Sequence, residues 1–293
     1  MNEPIARFRH DNAAYSTAFD SDGRTLAVGS LDKTIHLWDL KEKTRRHRLR
    51  GHGEAICAVR FLKDNNVLVS ASLDRTVRTW DTEQGRLLQT MSGHQKYLTD
   101  MDIASDGSVA VTGAHDKQVM IWDLRRFLRT ATLSGHTDLV SCVALSPDKK
   151  HVVSGGLDFL IRVWQVSDSR QTKEFGPHRR PLQCLAFSPD GTLLAVSDES
   201  SVVTVRDFAT GNKVAEFEDH RSGVRTLSWS RGRGWLASGG SDGQIVVRQM
   251  PDGRIVRTID AHKNTVYELT WSTNDHLLAS ASFDRTAAVW NFQ

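Results

Sequence analysis

The sequence predicts an all-β fold built from seven like units, and three observations predict it. A histidine recurs at His10, His52, His94, His136, His178, His220 and His262, each 42 residues after the last, so the repeats fill the 293-residue chain. At fixed offsets from these stand Asp32, Asp74, Asp116, Asp158, Ser200, Asp242 and Asp284, then Trp38, Trp80, Trp122, Trp164, Arg206, Arg248 and Trp290. No stretch keeps a 3.6-residue apolar period, which leaves helices few or absent.

Within a unit the order is strand, turn, strand. Runs rich in Val, Ile, Leu and Thr, such as Val67–Ser70 and Thr76–Trp80, read as short strands. They are split by Ser21-Asp22-Gly23, Ser105-Asp106-Gly107, Ser146-Pro147-Asp148 and Ser188-Pro189-Asp190-Gly191, residues that tolerate the backbone angles of tight turns. Four short strands fit each unit, giving roughly 28 strands in seven sheets, the number and period of a seven-bladed β-propeller of four-stranded antiparallel blades.

Composition excludes several function classes. Lys and Arg number 38 against 35 Asp and Glu, so bulk attraction to nucleic acid or an anionic membrane is weak. Cys57, Cys142 and Cys184 are an odd set without CxxC spacing, which argues against a disulfide framework or a cysteine zinc site and fits a reducing compartment. Met1 to Asp11 is polar and carries Arg7 and Arg9, unlike a signal segment, and no run of 18 apolar residues occurs. A cytoplasmic protein is the expectation. With no Gly-rich phosphate loop and no paired zinc histidines, no metal, cofactor or enzyme activity is expected.

Over its whole length the chain resembles the WD-repeat β-propeller family. The family's Gly-His stands at Gly51-His52, Gly93-His94 and Gly135-His136. Its Trp-Asp stands at Trp38-Asp39, Trp80-Asp81 and Trp122-Asp123, weakening to Trp164-Gln165 and Trp290-Asn291. The resemblance implies that each repeat supplies one blade's outermost strand and the inner three of the next. The chain stops at Gln293, so the seventh blade needs an outer strand. Pro4–Arg9 resembles the outer segments Arg86–Met91 and Arg254–Ile259. Docking residues 4–9 on the last blade would close the ring as a single domain, 1–293, and remove two exposed sheet edges.

Ser70, Thr112, Ser154 and Ser280 lie four residues before their Asp, so Ser, His and Asp together suggest a hydrolase triad. A nucleophile is presented once, however, whereas this set recurs with a Trp attached. The family resemblance implies a structural tetrad in each blade: Trp to hydroxyl, hydroxyl to His, His to Asp. The complete sets are His52, Ser70, Asp74 and Trp80; His94, Thr112, Asp116 and Trp122; His136, Ser154, Asp158 and Trp164; and His262, Ser280, Asp284 and Trp290. Blade 1 has Val28 for the hydroxyl, blade 6 keeps Ser238 but has Arg248 for Trp, and blade 5 retains only His178. Blades 5 and 6 are therefore expected to be the least stiff. Asp100, Asp102 and Glu268 are read as solvated loop residues rather than an axial cluster.

The resemblance further implies three positions per blade on the top face: three and five residues after the His, and the residue before the Asp. They include all three tyrosines of the chain, Tyr15, Tyr97 and Tyr267, with Leu31, Leu73, His115, Leu139, Leu157, Arg225 and Phe283. Blades 7, 1, 2, 3 and 4 would thus carry an apolar-aromatic arc suited to a protein or peptide partner; the competing account has some of these side chains packing in the channel. Arg179, Arg180, Arg221 and Arg225 fall on the same side in blades 5 and 6, suiting an acidic or phosphorylated group or else forming a solvated rim. The run Lys41, Lys43, Arg45, Arg46, Arg48 and Arg50 maps to the outer edge of blade 1 and reads as protection against edge pairing. The expected function is a non-enzymatic, monomeric scaffold for a protein or peptide. Alternatives are a regulatory or sensor domain of a larger signalling protein, or an engineered propeller without a native ligand.

Overall fold

The computed structural model describes residues 3–63 and 65–293; Met1, Asn2 and Asp64, although inside the 1–293 unit, lie outside the described residues. Seven four-stranded antiparallel sheets form a ring, and no helix occurs among the described residues. In blades 1 to 6 the strands lie side by side in chain order, from the inner strand at the axis to the outer strand at the rim. The inner strands are Ala14–Phe19, Ile56–Phe61, Leu98–Ile103, Val140–Leu145, Leu182–Phe187, Val224–Trp229 and Val266–Trp271.

The amino acids explain the layering. The second strand of each blade is covered on both faces by neighbouring blades, so Thr25–Ser30 is buried at every position and reads as a continuous apolar run rather than an alternating one. Outer strands such as Thr44–Leu49 meet solvent and carry the charge. The apolar core is divided into seven clusters, each straddling one seam. Val69, Val77 and Met91 of blade 2 pack with Met101, Ala110 and Trp122 of blade 3, for example. The cluster between blades 5 and 6 is the smallest of the seven among the described residues. Blades approach closely enough at Gly113 that an added Cβ would lie 2.7 Å from Val140, which is why a glycine occupies that strand position.

The ring is closed by the first strand. Ala6–Arg9 pairs antiparallel with Thr286–Asn291 in the register Ala6 to Val289 and Arg9 to Thr286. The Ile5 amide extends the ladder to the Val289 carbonyl at 2.8 Å, and the His10 amide reaches Arg285 at 2.9 Å. Phe8 then stacks on Trp38 of blade 1 with centroids 4.5 Å apart, so the same short strand seals the seam between the last blade and the first.

Candidate functional site

In blade 2 the His52 Nδ1 lies 2.7 Å from Asp74, its Nε2 lies 2.7 Å from the Ser70 hydroxyl, and Trp80 Nε1 donates to that hydroxyl at 2.8 Å. Blade 3 repeats this with His94, Thr112, Asp116 and Trp122. Blade 4 does so with His136, Ser154, Asp158 and Trp164, and blade 7 with His262, Ser280, Asp284 and Trp290. The four hydroxyl residues are wholly buried, so no substrate can reach the oxygen that a triad would use as nucleophile. Burial alone would raise the Asp74 carboxyl, but hydrogen bonds from His52 and Thr76 outweigh it and hold the group below the usual carboxylate range. Burial lowers His52, His136 and His262 despite their Asp partners. A neutral imidazole beside a carboxylate is therefore the resting state.

The three incomplete blades solve the problem differently. In blade 6 His220 still joins Ser238 at 2.8 Å and Asp242 at 3.1 Å, while Arg248 pairs with Asp219 and lies 4.4 Å over the Phe217 ring. In blade 1 His36 takes over: its Nε2 lies 2.9 Å from Thr34 and 3.3 Å from Asp32. Both ring nitrogens of buried His10 find no partner in the structure. Blade 5 has no such replacement, and His178 Nε2 is buried without a hydrogen bond.

Two of the three positions per blade are clamped by one repeated bond. The amide of the residue before the Asp position donates to the carbonyl three residues after the His: Leu31 to Ala13, Leu73 to Ala55, His115 to Tyr97, Leu157 to Leu139 and Phe283 to Thr265, all within 3.0 Å. Tyr15 and Tyr267 stack at 4.4 Å, and Phe283 meets Tyr267 edge-on at 6.0 Å. Tyr97 meets His115 at 5.8 Å. Tyr15, Leu73, His115, Leu157, Arg225 and Tyr267 line the mouth and wall of a central channel of about 970 Å³. Tyr97 and Phe283 stand apart from that lining and are about half exposed, at 52% and 47%. Leu31 and Leu139 are half-buried. Arg225 is exposed, its guanidinium donating to Gln183 at 2.6 Å and Ser241 at 3.2 Å, and Arg179, Arg180 and Arg221 are also exposed.

The channel itself corrects one expectation. Asp100, Asp102 and Glu268 sit on inner strands, not in solvated loops, and gather around Arg60. Arg60 reaches Glu268 at 2.7 Å, joining blade 2 to blade 7 past the intervening blade. Glu268 accepts from the Thr17 amide, Asp100 from Val143 and Asp102 from Leu145, each bond crossing to the next blade. These carboxylates satisfy amides on strand edges that no other strand covers. Burial pushes Asp100 up to about 6 and also raises Asp102, against the pull of those amides and of Arg60. Burial works against the Arg60 charge, but the surrounding carboxylates outweigh it. Burial likewise pushes Cys184 up to about 12 and raises Cys57 and Cys142, leaving no thiolate nucleophile there. The cluster was findable: in the 42-residue register Arg60 and Asp102 stand where other units have Ala18, Ala144 and Ala186, charges in place of small residues.

Among the described residues no group of His, Cys, Asp and Glu is arranged to hold a metal ion. No helix there is long and apolar enough to cross a membrane. Comparison with known families gives two matches. A family model described as IFT122 first beta-propeller matches residues 61–247, more than half of the chain. One described as WD domain, G-beta repeat matches residues 2–39 and 253–291. No curated protein matches the chain.

Proposed function

Because the chain belongs to the WD-repeat β-propeller family, within the group described as the IFT122 first beta-propeller, we propose that it is a scaffold that captures a protein or peptide on its top face. Propellers of this family are typically platforms for protein–protein interaction and generally lack enzyme activity. The observation that carries the finer reading is the aromatic group at the channel mouth. Tyr15 and Tyr267 are stacked, while Phe283 beside them stays 47% exposed. Rigid aromatic bodies with polar tips give large contact area at small entropic cost. Exposed Arg179, Arg180, Arg221 and Arg225 of blades 5 and 6 stand on the same side in this reading, so a ligand with an apolar segment and an acidic or phosphorylated group fits both sectors. Cytoplasmic location and a monomeric state belong to the same reading.

The test is quantitative affinity capture with the wild-type chain and with a Tyr15→Ala, Tyr267→Ala, Phe283→Ala variant. Partners lost by the variant support the top face, and an unchanged set of partners removes it. A second reading, membership of a larger assembly as one domain of a longer protein, is favoured by the match to a model described as a first propeller. The sequence flanking this chain in its gene decides that point.

A further inference from the structure

We propose that the rim of blade 3 is a second docking surface, which takes an extended acidic segment of another protein as an added strand. Every propeller blade ends in an unpaired edge, and natural sheets blunt such edges with short strands, charge or proline. Five of the seven rims show one of the first two devices or mix charges of both signs. Blade 7 ends in the four-residue Ala6–Arg9, blade 1 in Thr44–Leu49 with three arginines, and the rims of blades 4, 5 and 6 mix acids with bases. Leu128–Ser134 of blade 3 and Arg86–Ser92 of blade 2 are instead the two longest strands, seven residues each, and each carries a single charge. The bulge that interrupts Leu128–Ser134 opposite Ile121 and Trp122 recurs in the other outer strands that follow a hairpin, so it does not set this edge apart.

The turn leading into this strand carries the specific signal. The 42-residue register places Lys43, Gly85, Phe127, Ser169, Gly211 and Gly253 at one position, and all six have a left-handed backbone, Phe127 at φ 56°. Three blades use glycine there. Blade 3 uses a bulky aromatic, the kind of residue that conformation disfavours, and leaves it 40% exposed beside Leu128 at 44%. Leu87 and Leu88 on the adjacent rim are exposed as well. A side chain that is strained by its backbone and wasted on solvent suggests a contact that the isolated chain does not make.

Charge selects the occupant. The segment from Leu124 to Ser134 holds Arg125, Arg126 and Arg129 and no acidic residue; the nearest carboxylate, Asp123, accepts the amides of Arg125 and Arg126 and lies 3.8 Å from the Arg126 guanidinium. A second copy paired edge to edge about a two-fold axis would set these arginines against themselves. An extended segment with acidic residues beside β-branched ones would instead meet the arginines while its backbone completes the ladder.

The test uses the full chain and two end-blocked synthetic peptides, one alternating valine with glutamate and one alternating valine with lysine, with amide hydrogen exchange as the readout. The glutamate peptide is expected to slow exchange in Leu128–Ser134 at least threefold, and the lysine peptide to leave it unchanged. Phe127→Gly is expected to melt at or above the wild-type temperature yet bind the glutamate peptide at least fivefold more weakly. Arg125→Glu with Arg126→Glu should abolish that binding, while Tyr267→Ala on the top face should not change it. Protection at the top-face loops instead of the rim, equal effects of the two peptides, or undiminished binding by Phe127→Gly would overturn the proposal. So would a dimer in sedimentation whose rim is already protected without peptide, which would assign the edge to a second copy.

Discussion

The His10 ring meets the His36 ring edge-on, with centroids 4.6 Å apart, and the two have exchanged roles. His36 takes the hydrogen bonds to Thr34 and Asp32, while His10 keeps the repeat's position and none of its bonds. The blade tolerates this because His10 also packs edge-on against Trp38 at 5.8 Å, so its ring still fills the seam as an apolar plate would.

His10→Phe is therefore expected to cost little at pH 7.5 and to stabilise the protein relative to wild type at pH 5. Burial, together with the neighbouring His36, lowers the folded His10 to about 3 from a usual 6.5. Between those values the unfolded chain binds a proton that the folded one does not, so stability falls as pH drops below 6.5. Removing the group should recover about 1–2 kcal/mol at pH 5, read from urea melts at both pH values; equal destabilisation at both would refute it.

Ser70→Ala should behave in the opposite way. It leaves the Trp80 indole N–H and the His52 Nε2 without a partner inside the seam, and a loss of about 2 kcal/mol or more is expected. The equivalent test in blade 1, Val28→Ser, should give no gain, because His10 there is not joined to an acid. Chemical denaturation of both variants decides the matter.

Asp100 gives a pH signature of the other sign. Burial, with Glu268 and Asp102 nearby, pushes its folded carboxyl up to about 6 from the usual 3.8, against the pull of the Val143 amide and Arg60. Folding is thus charged for ionising it above pH 6 and relieved below pH 4. Asp100→Asn loses one acceptor at every pH. Its stability relative to wild type should nevertheless improve by about 2 kcal/mol between pH 4.5 and 7.5. A pH-independent difference would show that the channel carboxylate is as solvated as a surface one.

Amide exchange should be fastest in blade 5. It lacks the tetrad, leaves His178 Nε2 unpaired, and shares the smallest seam cluster with blade 6. Blade 6 also lacks the Trp, but its Ser238–His220–Asp242 chain is complete and Arg248 is tied to Asp219, so it should exchange more slowly than blade 5. Exchange from Leu182 to Glu218 no faster than from Leu98 to Ser134 would contradict this order.

Removing residues through Arg9 should lower the melting temperature by well over ten degrees. The deletion uncovers the buried Thr286–Asn291 edge and takes Phe8 off Trp38 and Arg7 off the Ala261 carbonyl at 2.9 Å. A melting temperature within two degrees of wild type would mean that the last blade is stable without its outer strand.

Much of this molecule is legible in its chain because the fold is periodic. The 42-residue recurrence of His, Asp and Trp, with strand-length apolar runs between turns, defines seven units and the offsets inside them. The likeness of Pro4–Arg9 to later rim segments even identifies the closing strand. In the same register Arg60, Asp100 and Glu268 replace the small residues of most other units, but the sequence does not say where such a side chain points. Only closing the ring brings residues of blades 2, 3 and 7 to one axis, where burial raises the Asp100 carboxyl. The exchange of His10 for His36, and the exposure of Phe127 on an unguarded edge, were likewise decided in three dimensions. Local spacing dictates which atoms a blade can bond within itself, whereas contacts across seams and at the axis depend on how seven sheets are arranged around one another.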